Sequence, residues 1–130
     1  MKYVIIRDDD TNACMPINYL ERLYRPFLDR GLPVNLATIP NVSTEAAYPD
    51  GRLEYFLVAK GETREKLIPI GANQPLVNHL RANPLYKVVQ HGCRHDSVHK
   101  RAEFDHHDRA EIIKRLAEGK KHFYEAGFWV

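Results

Sequence analysis

The chain has 130 residues, of which 44% are hydrophobic and 28% charged, as expected for one globular domain with a buried core. Its 19 basic and 17 acidic residues give a net charge of +2 with no basic run, which argues against nucleic acid as a partner. No stretch approaches the length of apolar sequence, about 18 residues, that a membrane span needs.

The first residues and the cysteines bear on the compartment. The chain opens "MKYVIIRDDD", in which a short apolar run meets acids, and this is unlike a secretory leader. Cys14 and Cys93 lie far apart and form no disulfide framework. We therefore expect a cytoplasmic protein with reduced thiols, although a chain whose leader had been removed would look the same.

The first part of the chain predicts a strand, a helix and a second strand. "KYVIIR" (2–7) is rich in β-branched and aromatic residues and predicts a buried strand. From Ile17 the apolar residues recur at helical spacing up to Gly31, with Pro26 expected to kink or restart the helix. "VNLATIP" (34–40) predicts the second strand.

The second part continues the alternation. After a long connection over 41–63, "KLIPI" (66–70) predicts a short edge strand or a loop, and "QPLVNHLRA" (74–82) predicts a helix. "LYKVVQ" (85–90) predicts a buried strand, and a capping-box start at Asp108 opens a helix to about residue 126. Such alternation is typical of an α/β fold with a mostly parallel sheet.

Two polar clusters follow predicted strands. Asp8, Asp9 and Asp10 come after the first strand, and "HGCRHD" (91–96) comes after the strand at 85–90. Parallel α/β folds keep their sites at the carboxyl ends of strands, so the two clusters should share one edge. One carboxylate and two imidazoles suit a catalytic zinc or iron-type ion, and a second carboxylate could act as general base on the metal-bound water.

Each cluster also has an ordinary interpretation. The acids could form a solvated loop that Arg7 partly balances, and the histidines lie in a segment that has two more at 106–107. Cys93 is interpreted as a small buried loop residue rather than a ligand. The shared position of the clusters at strand ends is what favours a site.

These residues carry a family resemblance. "VIIRDDDTN" resembles the first motif, T-F-D-D-G, of the polysaccharide deacetylase family (carbohydrate esterase family four), and "QHGCRHD" resembles its second, H-[ST]-x-x-H. The helix from Asp108 is similar to the one that follows the second motif. The resemblance implies a parallel-stranded (β/α) barrel-like fold of the distorted seven-stranded type. It also implies metal-dependent removal of acetyl groups from a carbohydrate or a related amide or ester.

Carried over by position, the resemblance implies a role for four residues. Asp9 would be the catalytic base, and Asp10, His91 and His95 would bind a divalent metal ion, with zinc the first expectation. A register one residue earlier, with Asp8 as the base and Asp9 as the ligand, stays open. No other cofactor is implied.

The sequence departs from the family in two ways. Arg7-Asp8 replaces the Thr-Phe of the first motif and Thr11 replaces its glycine, while Gly92 replaces the Ser or Thr of the second. The third motif, R-x-P-Y, would lie beyond Val130, so residues 1–130 are expected to be a single partial catalytic domain, truncated before that motif. Half of a barrel would leave open sheet edges, and we therefore expect a homo-oligomer.

Two alternatives stay open. The acids also fit the D-x-D motif of haloacid-dehalogenase-type phosphatases through Asp8 and Asp10, although Asn12 does not match and that mechanism has no use for the histidines. The chain could instead be a non-catalytic metal-binding domain. The expected partner is an acetylated carbohydrate or another acetylated small molecule, with no nucleic acid and no membrane.

Overall fold

The computed structural model describes residues 2–48, 50–57, 63–96, 101–105 and 108–130. Three strands form a parallel sheet in the order β1-β2-β5, and two short strands form an antiparallel pair. The strands are β1 Ile6–Thr11, β2 Val34–Thr38, β3 Asn41–Ser43, β4 Leu67–Pro69 and β5 Tyr86–Gln90. The helices are α1 Ile17–Leu28, α2 Gln74–Ala82 and α3 Arg109–Glu125. None of the described helices has the length and hydropathy to cross a bilayer.

The parallel sheet is open, so the predicted (β/α) barrel-like fold is wrong. The alternation in the sequence correctly indicated an α/β fold with parallel strands, but β1 and β5 stand at opposite edges and do not meet. Closing a parallel sheet into a barrel takes many more tilted strands than three, about eight in common small barrels. Three strands cannot curve back on themselves, and the antiparallel pair β3–β4 forms a separate sheet.

The first strand lies further along the chain than predicted. The apolar run predicted a strand over 2–7, whereas β1 runs from Ile6 to Thr11 and takes the three acids into the strand. Ile6 pairs with Val34, and the register becomes irregular between Asp8 and Thr11. Because β2 begins at Val34, the residues before Ile6 have no strand to pair with, and their side chains are exposed.

The three helices pack on one face of the parallel sheet. Their contact buries one apolar core, which comprises Leu20, Val34, Leu36, Ile70, Leu76, Val77, Leu80, Tyr86, Phe123, Ala126 and Phe128. Asp108 caps α3 by accepting a hydrogen bond from the backbone N–H of Glu111, as the capping box predicted. The helix α1 continues through Pro26 to Leu28.

A second, smaller core lies under the connection that follows β2. It comprises Ala13, Ile39, Val42, Ala46, Phe56 and Leu57. The connection predicted over 41–63 is more ordered than the sequence indicated, because β3 and a short 3₁₀ turn at Tyr55–Leu57 fall inside it. Pro49 and residues 58–62 of that connection lie outside the described residues. The turn brings Phe56 toward the carboxyl edge of the parallel sheet.

Candidate metal centre

The carboxyl ends of β1 and β5 lie at the same end of the parallel sheet, on either side of β2. The backbone ladder continues past the strands there, because the N–H of Ile39 donates to the carbonyl of Thr11 and the N–H of His91 donates to the carbonyl of Thr38. Asp10 and His91 therefore stand on two outer strands with only β2 between them. This is the shared edge that the sequence predicted.

Asp10, His91 and His95 converge at this edge. Oδ1 of Asp10 lies 3.2 Å from Nε2 of His91 and 3.2 Å from Nε2 of His95. The three ligand atoms lie within 4.8 Å of one another, so the group could hold a metal ion. The three residues predicted to bind the metal are thus brought together, and the identity of the ion stays a prediction.

The arrangement of the three possible ligand atoms suits a bound cation. Oδ1 of Asp10 is buried and accepts no hydrogen bond from any described residue, although two imidazole nitrogens lie 3.2 Å away. A buried carboxylate oxygen without a donor is unfavourable, and a divalent ion would satisfy it. One carboxylate and two imidazoles are ligands that zinc accepts.

Two of the three residues have an unusual backbone. Asp10 has φ of 70° and His95 has φ of 54°, and no other non-glycine residue in the described ranges has a positive φ. Asn12 stabilises the turn at Asp10, because its Nδ2 donates to the Asp10 carbonyl at 2.7 Å and its Oδ1 accepts from the N–H of Cys14 at 2.8 Å. Backbone strain of this kind concentrates at functional sites.

The charges of the cluster are coupled. Burial alone would raise the pKa of Asp10, but the close contacts with His91 and His95 outweigh it and hold that pKa well below its usual range. Burial alone would lower the pKa of His95, but the Asp10 carboxylate outweighs it and raises that pKa. In the metal-free protein a proton on His95 is therefore favoured where a metal ion would otherwise supply the positive charge.

Phe56 packs against one ligand. Its ring meets the His95 ring edge-on, with centroids 5.1 Å apart and an angle of 90° between the planes, which limits rotation of the imidazole. Phe56 is buried and packs in the loop, whereas its neighbour Tyr55 is 60% exposed.

The other two acids of β1 stand apart from the cluster. The side chain of Asp9 is half exposed and accepts a hydrogen bond from Nε of Arg7 at 2.8 Å. Asp8 lies on the face of the strand opposite to Asp9, the face that packs toward α1. There burial raises its pKa, and a hydrogen bond from Tyr24 of α1 opposes that effect. The assignment of Asp9 as base stays a prediction, and the phosphatase alternative gives no role to the imidazoles on Asp10.

The loop that carries the two histidines, residues 91–96, is held by contacts from several elements. The backbone N–H groups of Asn41 and Ser43 in β3 donate to the carbonyls of Cys93 and Arg94. Cys93 is buried, and burial raises the pKa of its thiol to about 12, which suits an inert packing residue. Glu103 lies beneath the loop and was missed, because a single glutamate eight to ten residues away gives no local signal.

No protein-family model, curated protein or solved structure matches the chain. The likeness to polysaccharide deacetylases thus remains one of two short motifs, and the single partial catalytic domain over 1–130 stays a prediction. The additional histidines at 106–107, which suggested an ordinary histidine-rich segment, lie outside the described residues.

Proposed function

We propose that the chain is a metal-dependent hydrolase that removes acetyl groups from a carbohydrate or a related amide or ester. Its divalent ion, zinc as the first expectation, would be held by Asp10, His91 and His95. The observation that carries the proposal is the convergence of two imidazoles on one buried carboxylate oxygen, with the three possible ligand atoms within 4.8 Å of one another. A set of three protein ligands leaves room for water and substrate, as catalytic zinc sites do.

The residues of β1 divide the chemistry between them. When bound, a divalent ion supplies Lewis acidity that lowers the pKa of water toward neutrality. Asp9 is the residue that the motif resemblance proposes as acceptor of the proton of the attacking water, and its half-exposed carboxylate is paired with Arg7. Asp8 is the weaker candidate, because it faces α1 and is hydrogen-bonded to Tyr24.

An exposed aromatic ring supports a sugar as the substrate. Tyr55 is 60% exposed, and its ring centroid lies 6.0 Å from that of Phe56, the residue that packs on His95. The pKa of Tyr55 is raised by burial and, to a smaller extent, by the Asp10 charge. An aromatic face beside the cluster could stack on a sugar ring.

The test combines metal content and turnover. Wild type, His91→Ala, Asp9→Asn and a control, His122→Ala on α3, are dialysed against zinc and analysed for bound metal and for acetate released from an N-acetylated oligosaccharide. We expect stoichiometric zinc in all but His91→Ala, because that variant loses one ligand. Asp9→Asn should keep its zinc and lose at least about 100-fold in turnover, as removal of a general base does.

The outcomes separate the alternatives. A His91→Ala variant that still carries zinc, or a wild type that never takes it up, would contradict the metal centre. Full zinc occupancy with no turnover on any acetylated substrate would favour the non-catalytic metal-binding domain. His107→Ala, outside the described residues, is also expected to keep its zinc.

A further inference from the structure

The loop that carries the two histidines wraps around a carboxylate of the chain itself. Glu103 is buried, and its side chain accepts hydrogen bonds from three consecutive backbone N–H groups. These are Cys93 at 2.9 Å, Arg94 at 3.1 and 3.2 Å, and His95 at 3.0 Å. Successive N–H groups that point to one side form an anion-binding concavity, and charge-assisted bonds of this kind are strong.

A buried arginine balances the charge of this carboxylate. Nη1 of Arg115, on α3, lies 2.9 Å from Oε1 of Glu103 and 2.6 Å from Oδ1 of Asp96. Nε of the same side chain lies 3.1 Å from Oε1 of Glu111. A buried carboxylate without such a partner would be strongly destabilising. The loop is thus fastened to α3 through Glu103 at its centre and through Asp96 at its end.

The same carboxylate explains the glycine in the second motif. A Cβ atom at Gly92 would lie 2.4 Å from Oε2 of Glu103, and Gly92 has φ of 61°. Position 92 therefore requires glycine both for its backbone and for the space that Glu103 fills. The Ser or Thr of the motif that this stretch resembles would displace the carboxylate.

We infer that Glu103 is a positioning residue of the metal centre. It holds residues 91–96 in the shape that brings the imidazoles of His91 and His95 to Asp10, and this role rests on the proposed metal site. The most direct link is His95, whose left-handed backbone presents its N–H to Glu103 while its ring reaches Asp10. A weaker hydrogen bond from the His95 N–H to Glu103 would therefore make it easier for His95 to leave this conformation.

The test compares Glu103→Gln with a matched control, Glu118→Gln. Glu118 pairs with the side chain of Arg94 in the same loop at 2.8 Å, and its described bonds go to side chains rather than to the loop backbone. In metal-free protein we expect amide hydrogen exchange at Cys93, Arg94 and His95 to accelerate at least about tenfold in Glu103→Gln, because local opening becomes easier. Glu118→Gln should leave it unchanged.

The second readout is the metal. The zinc dissociation constant should rise about 10- to 100-fold in Glu103→Gln, as it does when partners that orient metal ligands are lost. The visible spectrum of bound Co²⁺ should change with it, while Glu118→Gln keeps the affinity and spectrum of the wild type. If Glu103→Gln does not fold, Glu103→Asp keeps the charge for Arg115, shortens the reach to the loop, and carries the same expectations.

Two failures remain distinguishable. A wild type that binds no zinc overturns the proposed function. Unchanged exchange in Glu103→Gln, unchanged zinc affinity, or an equal loss in Glu118→Gln overturns the positioning role even if the wild type binds zinc normally.

Discussion

Asp10 and His95 keep a backbone conformation that a side chain disfavours. The left-handed region costs a non-glycine residue about 1–2 kcal/mol, so both residues need compensating contacts. Asp10 has the turn that Asn12 stabilises, and His95 has the carboxylate of Glu103 and the ring of Phe56. The strain is concentrated where the side chains must meet, which is how ligands from separate loops acquire a fixed geometry.

The pH dependence of metal-free stability follows from His95. Its pKa is raised in the folded protein, so its contribution is fully present below the ordinary histidine value of about 6.5 and is lost as the pH rises through the raised value. In the presence of a chelator, urea unfolding should show lower stability at about pH 9 than at about pH 5.5. His95→Gln should show a smaller difference than the wild type.

The stabilisation that zinc adds should have the opposite pH dependence to the metal-free stability. Metal binding requires deprotonated imidazoles, so the stability added by zinc should grow over the same rise in pH.

A wild type and a His95→Gln variant with identical pH profiles without metal would show that the coupling between His95 and Asp10 is absent.

The site was predictable from the sequence only where strand order determines it. The acidic cluster and the histidine cluster could be proposed to share an edge because parallel strands end on the same side of a sheet, whereas the choice of Asp10, His91 and His95 within them came from the family resemblance. Glu103 could not be proposed, because its partners are backbone N–H groups whose direction depends on the folded loop. The positions of Asp8 and Asp9 depended on the register of β1, which the sequence predicted too early.

At the scale of elements, α3 packs tightly onto the edge that carries the site. Gly119 lies where the helix crosses the ends of β2 and β5, and an added Cβ would stand 2.3 Å from Nε2 of Gln90 and 2.9 Å from Cγ of Pro40. Gln90 in turn donates to the carbonyl of Gly92 at 2.9 Å. The helix therefore reaches the histidine loop through the space that this glycine leaves.

Gly119→Ala tests that close approach. In an exposed helix position the change would stabilise by about 1 kcal/mol. Here the Gln90 side chain could move, but the Pro40 ring cannot, so we expect a net loss of about 1–3 kcal/mol in the free energy of unfolding. Urea denaturation measures it, with Lys120→Ala on the exposed face as the control. A more stable Gly119→Ala would show that α3 has room to shift.

The predicted elements differ in accuracy for local physical reasons. β5 and α2 were placed correctly, since proline, asparagine and glycine signals bracket them in the sequence. The helix α3 was placed to within a residue by its cap at Asp108. β1 was misplaced because its apolar run marks a strand without showing which of its residues find a partner. The sequence predicted either a short edge strand or a loop at β4 because of Pro69. The strand forms because β4 belongs to a two-stranded pair, in which proline is tolerated at an edge.

At the scale of the whole molecule, the described strands leave the parallel sheet with two free edges. Tyr3, Val4 and Ile5, which precede β1, are 76–91% exposed, and Trp129 is 85% exposed. Unpaired edges beside apolar side chains favour pairing with another chain. The barrel that the family resemblance implied was wrong, and alternation alone indicates parallel strands but not closure, because closure depends on how many strands join the sheet.

We therefore expect the chain to self-associate. Sedimentation velocity of the wild type should show a sedimentation coefficient that increases with concentration. Val4→Lys, which places a charge beside the free edge of β1, should shift the population toward monomer. Leu23→Lys on the exposed side of α1 is the matched control and should not. A wild type that stays monomeric throughout would contradict the expectation.

The order of the strands in the sheet has a consequence for the folding pathway. Asp10 and the two histidines are separated by roughly eighty residues and meet only when β2 has paired on both sides. Contacts of such long sequence separation form late, after the loop-closure entropy has been overcome. A ligand that binds the finished cluster stabilises an arrangement absent from the transition state, so it would lengthen the lifetime of the native state while leaving the refolding rate almost unchanged.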